Sequence, residues 1–274
     1  MTARRVLHAA RARAVVLLAL LALAGCATGP GGAPLGEPSK DLVTASDETE
    51  ASKRAKVRME LATAYFGRGQ VTTALDEVKL ALIAEPNLPE AYNLRGLIYG
   101  ELGEQKLAEE SFRRALTLRP GDADAMHNFG WYLCQQRRFP EADDMFNQAQ
   151  VQPRYRGTTR TLLAQGVCQA RAGNWEQAEG TLTRSYELDP SNPSAAVNLA
   201  EVLYNRGDYE RARYYVGRVN AMPGVSNAQT LWLAAKVEMK IGNRQGADQL
   251  GQQLRNRFPQ SKESSAYARG QFDD

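Results

Sequence analysis

Histidine is almost missing from this chain: there are two in 274 residues, His8 and His127. Cysteine is nearly as scarce, with Cys26, Cys134 and Cys168 the only three. A Ser-His-Asp triad or a multi-histidine zinc site therefore has little to be built from. Long apolar runs are lacking too. The one unbroken stretch, Ala14 to Ala24, is 11 residues, well short of the ~20 that span a bilayer. Strong charge of one sign is also absent. The formal charge is +3, but Arg4, Arg5, Arg11 and Arg13 lie before residue 25, where there is no acid. The other 30 basic residues face 31 acidic ones, a net near −1. That balance argues against a nucleic-acid partner.

What is present begins with a leader. A basic segment, a short apolar core and a small-residue end make residues 1–25 a signal peptide rather than a membrane span. Leu23-Ala24-Gly25-Cys26 resembles the bacterial lipobox. The resemblance implies cleavage before Cys26 and acylation of its thiol and new amine, so the only attached group expected is covalent lipid, with no cofactor. The alternative is an ordinary secretory signal with a chance cysteine. Two acyl chains already anchor a protein stably. Ala27 is not the Asp that resembles an inner-membrane retention signal, so the expected address is the outer membrane, with the folded part in the periplasm. Residues 26–52 are expected to be a flexible tether. TGPGGAPLGEPS (28–39) has no Gly-Lys-Ser/Thr and no preceding strand, so it is not a phosphate loop. About 26 residues of such chain reach ~25–30 Å.

Residues 53–261 carry an internal period. Ala74, Ala108, Ala142, Ala178, Ala212 and Ala247 recur at steps of 34, 34, 36, 34 and 35, against ~34 for tetratricopeptide (TPR) repeats. Between Ala91 and Pro120, Tyr92, Gly96, Tyr99, Ala108, Phe112, Ala115 and Pro120 fall where a TPR places its small and large residues. The fold expected is all-α: a right-handed TPR superhelix of six helix-turn-helix repeats, at about 55–88, 89–122, 123–156, 159–192, 193–226 and 228–261. Small residues let the two helices of a repeat touch, Gly turns join them, and Pro ends the second. The third repeat ends irregularly around Pro153, with two extra residues. The sixth has Gly251 where a large residue is usual. Residues 262–274 read as a polar tail that helps cap the array.

No residues are left over for a catalytic domain, so the chain is read as a non-enzyme. His127 and Cys134 share a helical face, but two ligands do not make a metal site. Cys134 and Cys168 sit on the first helices of adjacent repeats, in a compartment that permits disulfides. A bridge is the preferred reading, and two small apolar thiols in the core the alternative. Positions two, five, nine and twelve of each repeat commonly line a TPR's concave face. They nominate Met59, Thr63 and Phe66, then Asn93, Leu97 and Gly100, then His127, Trp131 and Cys134, then Leu163 and Val167. Such a groove suits an amphipathic helix or an extended peptide.

Asn128 to Gln136, NFGWYLCQQ, resembles the signature of the type IV pilus biogenesis/stability lipoproteins, the PilF/PilW pilotins. So do Pro153-Arg154-Tyr155, the Cys168-Gln169-Ala170 that follows Gly166-Val167, and Arg257-Phe258-Pro259. The resemblance covers about residues 50–263 together with the lipobox. It implies a role in pilus biogenesis: binding the pilus secretin subunit, with other pilus-assembly proteins as further partners, and promoting secretin localisation and multimerisation in the outer membrane. Repeats and anchor alone fit two other readings. One is a general envelope adaptor for outer-membrane protein assembly or cell-wall hydrolases. The other is a TPR-bearing enzyme such as a glycosyltransferase.

Overall fold

In the computed structural model, residues 48–272 are described. The leader, Cys26 and most of the expected tether lie outside them. Among the described residues there are thirteen helices and no strand. Six antiparallel pairs are α1 (Glu50–Gly67) with α2 (Val71–Ala84), α3 (Pro89–Glu101) with α4 (Gln105–Leu118), α5 (Ala123–Gln135) with α6 (Phe139–Gln150), α7 (Thr158–Arg171) with α8 (Trp175–Leu188), α9 (Pro193–Asn205) with α10 (Tyr209–Asn220), and α11 (Ala228–Lys240) with α12 (Arg244–Arg257). A thirteenth, α13 (Lys262–Ala268), follows. Each second helix packs on the first helix of the next pair, and consecutive first helices touch. The result is a TPR superhelix.

One boundary differs from expectation. Residues 50–52 belong to α1 rather than to a tether, because Thr49 caps the helix by accepting from the Ser52 amide at 3.1 Å. Within the expected polar tail, residues 262–268 form a short helix capped by Ser261.

The pairs close by matching small against large. Ala74, Ala108, Ala142, Ala178, Ala212 and Ala247 are all fully buried. A Cβ at Gly96 would lie 2.8 Å from the Phe112 ring, one at Gly130 3.0 Å from Phe146, and one at Gly166 2.5 Å from Leu182. Where the first helix offers Ala62 or Ala200, the matching residue of the second is the smaller Val78 or Val216. Volume is thus conserved from pair to pair, which keeps the core dense. In the sixth pair both residues are small, Ala235 and Gly251, and the ring of Tyr267 from α13 fills the space. That explains both the glycine and the helix.

Between the helices of each pair, one residue takes a left-handed backbone. It is Gly69, Gly103, Gly173, Gly207 or Gly242 in five pairs. In the third it is Arg137, at φ 61°, a conformation that costs a side-chain-bearing residue about 1–2 kcal/mol.

Candidate functional site

Among the described residues no group of three or more His, Cys, Asp or Glu could hold a metal ion, and no helix is long and apolar enough to cross a membrane. A polar cleft of about 570 Å³ on the second and third repeats is lined by Glu109, Arg113 and Arg138 among others. Its charges are already matched: Arg113 and Arg138 both pair with Glu109, and Arg138 also with Glu141. Hydrogen bonding from Arg113, then Arg138, holds the Glu109 carboxyl below its usual range.

The nominated groove residues are not equivalent. Asn93 and Leu97 are half-buried, and the Asn128 amide donates to Asn93 Oδ1 at 3.2 Å, joining repeats two and three. Gly100 faces Tyr132, whose ring would lie 3.2 Å from a Cβ there. Trp131 is half-buried with the Arg171 guanidinium 5.0 Å from its ring centre. Leu163 and Val167 are half-buried, and Leu163 packs against the core of the later repeats. Thr63 is exposed, whereas Met59 and Phe66 pack against the first core cluster.

His127 does not line the groove as expected. Only 8% of it is exposed. Its Nδ1 lies 2.9 Å from Thr161 Oγ1, which in turn lies 2.7 Å from the Tyr155 hydroxyl. The extra residues after repeat three lead Tyr155 over Gly157 and onto this pair. Histidine is therefore part of the seam between repeats three and four, not of the groove. Burial, with help from nearby Arg160, pushes its pKa down from 6.5 to about 4. The folded state then resists protonation that the unfolded chain accepts. Stability is unaffected above pH 6.5 and falls as pH drops from 6.5 towards about 4, by up to about 3 kcal/mol. Denaturant midpoints across that range should show the loss, and His127→Gln should remove part of the slope.

The same seam holds the disulfide. Cys134 and Cys168 are bonded, with Cα atoms 5.8 Å apart, so Cys134 belongs to the core and not to a ligand surface. Beside it, Gln165 and Gln169 each donate to Asp143 Oδ1 at 2.8 Å.

The nomination stopped at repeat four, but the same positions continue. In repeats five and six they are Val197, Glu201, Tyr204, Gln229, Trp232 and Lys236, and all six line one cleft of about 730 Å³. The repeat offset was sufficient to find them.

Repeat one differs from the rest in another way. Val57 is 55% exposed, whereas its counterparts Ala91, Ala125, Thr161, Ala195 and Thr230 are buried by the preceding repeat. Leu61 is exposed for the same reason. On α2, Leu80 is exposed where later repeats carry Arg114, Gln148, Arg184, Arg218 and Gln253, and Ile83 is 76% exposed. Exposed apolar residues also occur on later repeats, Val151 and Leu188 among them, but four of them, Val57, Leu61, Leu80 and Ile83, fall on repeat one.

Tetratricopeptide-repeat families match residues 89–122, 123–149 and 163–219. The crystal structure of PilW, a widely conserved type IV pilus biogenesis factor, aligns at 31% identity with a TM-score of 0.73, over 78% of this chain and 98% of that one. The chain belongs to the PilW family of type IV pilus biogenesis factors. Type IV pilus assembly protein PilF of Pseudomonas aeruginosa is 28% identical over 250 residues, covering 91% of this chain and 95% of that protein. A PilF structure from the same organism aligns at 26% identity, TM-score 0.71, over 81% and 100% of the two chains. The PilW-like signature maps to structure more than to surface. Phe129, Tyr132, Leu133 and Cys134 are buried, and Arg257 donates to Ser226 Oγ and the Ser226 carbonyl, both at 3.2 Å.

Proposed function

We propose that this PilW-family protein is a lipid-anchored escort of the outer membrane, with its repeats in the periplasm. It binds the pilus secretin subunit and promotes secretin localisation and multimerisation there, as a pilotin. It works as a binding protein and not as an enzyme, with the lipid on Cys26 as its only attached group. Other pilus-assembly proteins are secondary partners. Family membership supports the pilus role, and the lipobox supports the address.

The observation that carries the binding step is the apolar face of repeat one. Val57 and Leu61 occupy places that a further repeat would cover, and Leu80 and Ile83 extend apolar surface onto α2. An amphipathic segment of the secretin subunit can supply the apolar cover that a neighbouring repeat supplies elsewhere. Charge placed there should remove docking while leaving the core intact. We therefore expect Ile83→Asp combined with Val57→Asp to lose at least about tenfold in secretin retrieval from envelope extract, since two buried apolar anchors contribute more than 1.4 kcal/mol. Its melting temperature should stay near that of the unaltered chain. Undiminished retrieval would refute the assignment of this face. Retrieval of a β-barrel assembly complex or a hydrolase in place of secretin would favour the adaptor reading.

A further inference from the structure

Two residues that line the cleft of repeats five and six, Tyr204 and Trp232, are already contacted by the segment that follows α13. After α13, Gly270 takes φ 68° and reverses the backbone, with the Gln271 amide donating to the Ala266 carbonyl at 3.0 Å. The turn carries Phe272 back to the concave side. Its ring sits on Trp232, centroids 5.0 Å apart, with the Tyr267 ring edge-on at 5.9 Å. Its carbonyl accepts from the Tyr204 hydroxyl at 3.4 Å. Tyr204 and Trp232 are the twelfth position of repeat five and the fifth of repeat six, places that face a ligand in this architecture.

The contacts are those of a bound peptide. One aromatic side chain lies on an aromatic platform, and one main-chain carbonyl meets a side-chain donor. They differ from the helix-to-helix packing that closes the other repeats. Tyr267 already fills the space over Gly251, so Phe272 is not needed to complete that core. Beside this platform the cleft of about 730 Å³ is lined by Val197 and Glu201 of α9, by Lys262, Glu263 and Ala266 of α13, and by Arg269 just after it.

We propose that this cleft is a second peptide-binding site, for a partner segment carrying an aromatic residue, and that Gly270–Phe272 covers its Tyr204–Trp232 platform in cis as an autoinhibitory contact. The short link to α13 keeps the internal segment at high effective concentration. A partner's aromatic segment must displace it, and the apparent affinity is lowered by the fraction of molecules that are occupied. The site lies at the other end of the repeat series from the repeat-one face and does not depend on which partner docks there.

The test uses the full chain in detergent and a labelled peptide, Gly-Gln-Phe-Asp-Asp, followed by fluorescence anisotropy. Phe272→Ala should bind this peptide at least about tenfold more tightly than the unaltered chain, as expected when nine molecules in ten are self-occupied. Adding Trp232→Ala should abolish the gain, and the peptide Gly-Gln-Ala-Asp-Asp should not bind Phe272→Ala. The second peptide keeps the test decisive even if Trp232→Ala unfolds. Equal affinity of Phe272→Ala and the unaltered chain for the phenylalanine peptide would overturn the proposal. So would equal binding of the two peptides. A fall in the melting temperature of Phe272→Ala with no gain in peptide affinity would show a structural cap instead, and would overturn it too.

Discussion

Replacing Cys134 and Cys168 together with Ala should lower the melting temperature by about 10 °C. The bridge closes a loop of sequence separation 34. Chain-entropy accounting assigns such a loop about 3–4 kcal/mol of stability through restriction of the unfolded state. A repeat domain of this size shifts by roughly 2–4 °C per kcal/mol. Alanine is the right replacement because both sulfurs are buried among Phe129, Tyr132 and Phe146, where a serine hydroxyl would add its own desolvation cost. The effect should also be local. Repeat stability is carried by neighbouring interfaces, so the weakened joint should appear first as protease cleavage near the linker between Gln150 and Thr158. Reducing the unaltered protein should reproduce most of the shift, and either single replacement should cost nearly as much as both, since one cysteine cannot make the bond. A double variant that melts within about 2 °C of the original would mean that the interlocked side chains of the seam hold it without the bond.

The legible part of this chain was its periodicity. Buried Ala at one position per repeat, with Gly against Phe112, Phe146 or Leu182, reflects a packing requirement repeated six times, and repetition averages out local exceptions. The exceptions were less legible, each for a physical reason. His127 occupies a groove position by count, yet the insertion bearing Tyr155 draws it into a buried hydrogen-bonded chain that no period encodes. The segment 262–268 is too short and polar to show an amphipathic pattern. Its helix was announced indirectly, by Gly251, because a missing large residue in a conserved-volume pair implies a ring from elsewhere. Arg137 replaces a turn glycine, and no sequence signal distinguishes it from an ordinary polar residue. Cys134 and Cys168 left bridge and buried thiols both open, and side-by-side packing of α5 and α7 brings them to bonding distance.

Cys26→Ser should abolish membrane anchoring, and with it most secretin multimers, while leaving the repeat array intact. The buried apolar core of the described residues runs from Ala55 to Leu254, well after residue 26. Each acyl methylene buried in a bilayer contributes about 0.8 kcal/mol, and two chains suffice for stable attachment. Under the proposed anchor, removing the acceptor thiol should change the protein from membrane-bound to free in the periplasm. The consequence for assembly follows from concentration. A binding surface tethered at the membrane meets a secretin subunit at an effective concentration near the millimolar range, which a dilute soluble copy cannot match. Outer-membrane secretin multimers, read by fractionation and immunoblot, should fall by at least about tenfold. The soluble variant should still retrieve secretin subunits from extract. Ile83→Asp with Val57→Asp should fail in the opposite manner, staying in the membrane fraction but retrieving at least about tenfold less secretin. Together the two variants separate delivery from recognition. Normal multimers in Cys26→Ser would show that this protein acts on the secretin without anchoring it, and the escort mechanism would have to be abandoned even if the repeat-one contact were real.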